Sequence, residues 1–192
     1  MATTRGQQVG IWIIAVVLTV GTLGSFVAIV LANDNQSAQT TTQEDAAKQL
    51  AAYQEQQKAA AKTNADNSIA LAGYGAAPFD PASVTSLQKE ILVDGTGDEV
   101  KATDSINASY FGWTSDGVIF DSSTKKDTNT DTPVTFALSG VIKGWTDGLA
   151  GQRVGSTVKL TIPADQAYGP TGSGVIPANA PLVFIVTIHA IK

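Results

Sequence analysis

The segment at 141–169, VIKGWTDGLAGQRVGSTVKLTIPADQAYG, is the stretch that most constrains the fold of this chain. It sets out a short helix, a turn, an alternating strand and a loop ending Ala167-Tyr168-Gly169. In the helix, 144–149, Trp145 and Leu149 stand four residues apart and share a face. Val158, Leu160 and Ile162 alternate in the strand that follows. The last strand, 181–191, puts Leu182, Phe184, Val186, Ile188 and Ala190 on one wholly apolar face, with Thr187 and His189 on the other. Such a strand face has to be covered, and the short helix is the element available to cover it.

Upstream, short strands with turn signals continue back to about residue 84. Residues 87–92 form a candidate strand, closed by the turn Asp94-Gly95-Thr96-Gly97. Ile106, Ala108 and Tyr110 alternate. Ser115-Asp116-Gly117 then makes a hairpin turn into 118–121. Residues 122–132 are polar and read as a loop or flap, after which Val134, Phe136 and Leu138 alternate. The expectation is an α+β domain over 84–192: a twisted antiparallel sheet of about five strands wrapped on one short helix.

The first part of the chain is different. Residues 9–32 carry no charge and would span about 36 Å as a helix, against a hydrocarbon core of about 30 Å. Arg5 precedes this run, while Asp34, Glu44 and Asp45 follow it. The expectation is a single transmembrane anchor at 9–32, with residues 1–8 cytoplasmic and the rest extracytoplasmic. Cleavage after a signal peptide, giving a secreted protein, is the alternative. The run is longer than the usual signal h-region. Residues 33–83 read as a spacer. Its first part, 33–42, is polar; 43–66 is rich in Ala, Gln, Lys and Glu and should be a solvated helix without an apolar stripe. Residues 70–81 form a loop entering the domain, with Phe79 packing on its edge.

Charge and residue types exclude several functions. Net charge is −5, and Lys and Arg cluster no further than Lys125-Lys126, so no nucleic-acid surface is expected. There is no cysteine, which removes disulfides, thiolate catalysis and Cys–metal sites. His189 is the only histidine and reads as an ordinary surface residue. No metal, triad or cofactor motif stands out.

A set of motifs then appears in order along 84–192. Tyr110 is followed by Gly112, and Asp116-Gly117 by Phe120-Asp121-Ser122-Ser123. Val141-Ile142-Lys143-Gly144-Trp145, Leu160-Thr161-Ile162-Pro163 and Ala167-Tyr168-Gly169 come next, then Ile176-Pro177 and Leu182-Val183-Phe184. Singly each is weak; together, at these spacings, they resemble the FKBP family of peptidyl-prolyl cis/trans isomerases. The resemblance implies a pocket whose catalytic residues are Tyr110, Phe120, Asp121, Tyr168 and Phe184. Val134, Val141, Ile142, Trp145 and Ile176 would bind substrate, with Trp145 as the floor. The Tyr168 hydroxyl and the Ile142 N–H would donate to substrate carbonyls. Val134 departs from the family pattern, in which an aromatic is frequent at that position. Read without the resemblance, Asp121 is equally a turn cap or a partner of Lys125.

The implied function is an isomerase of X-Pro bonds in exported or unfolded polypeptides, needing no cofactor. Macrolide ligands of the family are a further ligand class. A non-catalytic peptide-binding chaperone or scaffold on the same fold is the competing reading.

Overall fold

The computed structural model describes residues 39–192. The expected anchor at 9–32 and the stretch 1–8 lie outside the described residues. Among the described residues no helix is long and apolar enough to cross a membrane.

Helix α1 (Gln39–Asn67) opens the described chain. Strands β1 (Gln88–Val93), β2 (Ser105–Trp113) and β3 (Ile119–Ser122) follow. A small pair, β4 (Thr124–Lys125) with β5 (Thr130–Asp131), precedes β6 (Val134–Ala137). Helix α2 (Lys143–Leu149), β7 (Thr157–Ile162) and β8 (Leu182–Ile191) complete the chain. The main sheet is six-stranded and antiparallel, in the order β1-β7-β8-β2-β3, with β6 also paired to β2. β6 takes the first half of β2's edge, at Ser105–Ala108, and β3 the second, at Phe111–Trp113.

The centre of the sheet is β8, as its apolar sequence requires. Leu160 lies opposite Phe184, and Tyr110 opposite Val186. Leu182, Phe184, Val186 and Ile188 point into the main core with Leu160, Ile162, Trp145 and Leu149. α2 rests on this face. Thr146 Oγ1 donates to the Leu138 carbonyl at 2.6 Å, and Lys143 pairs with Asp147 one turn on.

The opposite face is also covered, which the one-sided reading did not anticipate. Val183 and Ile185 of β8 and Phe111 and Trp113 of β2 form a second cluster under Leu71, Tyr74 and Phe79. The loop at 70–81 therefore lies over the sheet face rather than only at its edge. Trp113 Nε1 donates to the Ala77 carbonyl at 2.9 Å, and Phe79 N to the Ser115 carbonyl at 3.0 Å.

Two further differences from the sequence reading matter for the site. The polar stretch 122–132 holds the β4–β5 pair, because the Asp131 carboxylate gathers donors around it. Ser123 Oγ donates to it at 2.5 Å, Thr124 Oγ1 at 3.3 Å, and the Ser109 hydroxyl also donates. α1 begins at Gln39, earlier than expected, and its C-terminal end is not a solvated spacer. Ala61, Asn64 and Ser68 are buried against the domain. Docking there is made by small and polar side chains, so no apolar stripe announces it.

Candidate active site

The site is assembled from most elements of the sheet. β2 supplies Tyr110, β3 supplies Phe120 and Asp121, and β8 supplies Phe184. α2 and the residue before it supply Trp145 and Ile142. The connection between β7 and β8 brings in Tyr168 and Ile176. Tyr110, Phe120, Ile142, Trp145, Tyr168, Ile176 and Phe184 belong to one buried cluster, and Val134 and Val141 pack against it half-buried.

The aromatic rings meet edge to face. Trp145 lies 5.4 Å from Tyr110 and 5.4 Å from Phe184, at 83° and 85°. Phe120 meets Phe184 at 5.5 Å and 85°. This is the arrangement aromatic quadrupoles favour. It sets a corner of ring faces around the indole. Gly112 makes the corner possible, since a Cβ there would lie 2.5 Å from the Phe184 ring. The Trp145 indole N–H has no hydrogen-bond partner among the described residues. Leaving such a donor buried costs about 1–3 kcal/mol.

Phe136 was missed by the sequence reading as a site residue. It stands 5.3 Å from Tyr110 and 5.1 Å from Trp145, completing the ring of aromatics beside Val134. Its alternation with Val134 and Leu138 was the available signal.

At the polar end stands Asp121, fully buried. Its Oδ2 accepts from Tyr110 Oη at 2.5 Å. Its Oδ1 accepts from Ser122 N at 2.8 Å, Asn64 Nδ2 at 2.8 Å and Lys125 Nζ at 3.3 Å. Lys125 Nζ also donates to Asn64 Oδ1 at 2.7 Å. Asp121 thus pairs with Lys125, as one of the two plain readings had it, and does more besides. Asn64 was missed, and nothing local in the sequence signals it. Burial pushes the Tyr110 hydroxyl pKa well above its ordinary value, and the neighbouring Asp121 charge adds to this. Tyr168 is pushed up by the same two causes in the same order. Both stay phenols at neutral pH and can donate.

The arrangement offers an apolar aromatic corner with hydroxyl and carboxylate groups at one end. His189 lies apart from it, its Nε2 2.6 Å from Ser109 Oγ. Two surface cavities of about 250 and 310 Å³ are elsewhere, on the outer sheet face around Trp113 and Lys159.

A family model described as FKBP-type peptidyl-prolyl cis-trans isomerase matches residues 97–189. The FK506-binding protein of Neisseria meningitidis serogroup A is 40% identical over 104 residues, which cover 54% of this chain and 94% of that one. The FKBP-type peptidyl-prolyl cis-trans isomerase FkpA of Aeromonas hydrophila is 44% identical over 108 residues, covering 56% of this chain. The match spans only 39% of that relative's length. The crystal structure of FkpA from Escherichia coli superposes with a TM-score of 0.51 at 34% identity, covering 90% of this chain and 70% of that chain. The chain belongs to the FKBP-type peptidyl-prolyl cis-trans isomerase family. Its antiparallel sheet, with helices α1 and α2, is the FKBP-like fold with two helices.

Proposed function

We propose that this chain catalyses cis/trans rotation about X-Pro bonds of polypeptides. The observation that carries the reading is the aromatic corner around Trp145, joined to a buried phenol–carboxylate pair. Rotation about an X-Pro bond must break amide resonance and is slow unassisted, taking tens to hundreds of seconds. It needs no proton transfer and no bond to carbon. The planar amide is a strong dipole that water stabilises, and the twisted amide is less so. A dry aromatic seat therefore favours the twisted form relative to the planar one, which is differential binding of the transition state.

In this reading Trp145 is the floor under the proline ring. Tyr110, Phe120 and Phe184 are the walls, closed by Val134, Val141 and Ile176. The Tyr168 hydroxyl and the Ile142 N–H hold the substrate carbonyls, and Asp121 fixes the polar end. Clients would be proline-containing exported polypeptides, met outside the membrane by a domain at 84–192 anchored through 9–32. Macrolides that bind relatives of this family are expected to compete for the same seat.

The test is the isomerisation rate of a tetrapeptide with one Leu-Pro bond, measured with the full chain. Acceleration that is lost in Phe120→Ala supports the reading. A folded wild-type protein without activity on any proline peptide leaves the peptide-binding module instead. Protease added to intact cells should reach 33–83; cleavage only after permeabilisation would sink the proposed orientation.

A further inference from the structure

The C-terminal turns of α1 lie against this same site, and they do so with a defined face. From residue 46 to 56 the helix is exposed. After that Ala61, Asn64 and Ser68 are buried, the spacing of one helical face, and Gln57, Ala65 and Asn67 are half-buried. At the polar end of the site Asn64, only 5% exposed, donates to Asp121 Oδ1. At the other bank Ala61 seats on Gly174, in the loop that leads to Ile176. A Cβ on Gly174 would lie 2.7 Å from the Ala61 Cβ. The helix end therefore reaches from β3 to the loop between β7 and β8, two of the elements that line the site. The walls of the site are closed to solvent, with Tyr168 8% and Ile176 4% exposed.

We propose that the turns of α1 from Gln57 to Asp66 are a built-in cover on the polypeptide groove, latched by Asn64 to Asp121 and seated by Ala61 on Gly174, and that substrate enters when the cover lifts. The proposal rests on the isomerase reading only for what the groove takes. Asn64 presents the same chemical group as a substrate. Its side-chain amide donates to Asp121 Oδ1 and accepts from Lys125 Nζ, using hydrogen-bonding capacity that a bound peptide amide would otherwise meet.

The attachment lies beyond the latch. Lys126 N donates to the Asn67 carbonyl at 2.7 Å, and Ile69 N to the Thr124 carbonyl at 3.2 Å. The cover can turn about 67–69 while these backbone bonds hold. Ala61 is the buried hydrophobic residue of this helix face, so lifting it exposes little apolar surface. Segments held by few apolar contacts are the ones that open first.

The test compares the full chain with Ala61→Arg, Asn64→Ala and, as a control on the exposed side, Lys62→Gln. Calorimetry gives the affinity for the Leu-Pro tetrapeptide, and the isomerisation rate is measured beside it. A cover closed nine-tenths of the time lowers apparent affinity about tenfold. Ala61→Arg and Asn64→Ala should recover about that factor, with Lys62→Gln at the wild-type value. In the wild type, saturating peptide should speed amide hydrogen exchange at 57–64 and leave 67–69 protected. Folded variants that bind no better than wild type overturn the cover, as does unchanged exchange at 57–64, or absence of peptide binding in every variant. If Ala61→Arg does not fold, Asn64→Ala and the wild-type exchange decide. Tighter binding in the variants without isomerisation in any of them keeps the cover and removes the isomerase reading.

Discussion

Tyr110 Oη donates to Asp121 Oδ2 at 2.5 Å, and both residues are almost wholly withdrawn from water. A buried carboxylate is tolerated only when its lone pairs are met by donors. Asp121 meets this with a phenol, a backbone N–H, an amide and an ammonium. Tyr110→Phe removes the phenol donor to Oδ2 without changing the ring. The expected cost is about 1–3 kcal/mol, the penalty for stranding a buried acceptor. Urea unfolding of the variant against wild type measures it. A change below about 0.5 kcal/mol would mean that water replaces the phenol and the pair is not dry.

Alkaline pH should loosen the same region. Tyr110 and Tyr168 have folded-state pKa values raised above those of the unfolded chain, chiefly by burial and then by the Asp121 charge. The folded protein therefore holds these protons more tightly than the unfolded one. The stability this contributes is fully present below the unfolded value, about 10, and is lost as pH climbs from there toward the raised values. Melting temperature should fall above about pH 10, and the fall should be smaller in Tyr110→Phe with Tyr168→Phe. Equal steepness in that double variant and wild type would assign the loss to other groups.

The aromatic corner separates binding from stability. Trp145→Ala should cost about 3–5 kcal/mol, because the indole is fully buried and meets Tyr110, Phe136 and Phe184. Tyr168→Phe keeps its ring and should lower kcat/KM by a few-fold to about tenfold, the worth of one hydrogen bond. Phe120→Ala should lower it further, since it opens the wall and lets water beside the amide. The ranking of the two rate losses is the check. A greater loss in Tyr168→Phe would place the hydroxyl, not the dry wall, at the centre of catalysis.

Much of this domain was legible because its signals are local. Alternation in 158–162 and 182–190 gave the central strands, and Trp145 with Leu149 gave the helix face that packs on them. What escaped was held by side-chain hydrogen bonds or by distant sequence. β4 and β5 are too short and polar to alternate, and they pair around Asp131. The second covered face of the sheet depends on the loop at 70–81, whose small and aromatic residues show no period. Asn64 reaches Asp121 across 57 positions from a helix whose docking face is Ala, Asn and Ser. An apolar-stripe criterion is blind to such a face, so the helix read as a solvated spacer.

Lys125 is where the strand, the helix and the acid meet. Its Nζ donates to Asn64 Oδ1 at 2.7 Å, Ser68 Oγ at 3.2 Å and Asp121 Oδ1 at 3.3 Å. The lysine side chain is 22% exposed, so its charge is partly screened, while Asp121 has no exposure at all. Removing one partner of a fully buried pair costs about 3–5 kcal/mol. Here the lysine is partly in water and Asp121 keeps Tyr110, Ser122 and Asn64, so Lys125→Met should cost less, about 1–3 kcal/mol. The loss should not be confined to the strand. Asn64 and Ser68 lose their shared partner, so amide exchange at 57–68 should quicken more than exchange in β7 or β8. Hydrogen-exchange mass spectrometry on the folded variant reads both regions at once. Uniform quickening across the domain would mean that Lys125 serves global stability and does not tie α1 to Asp121.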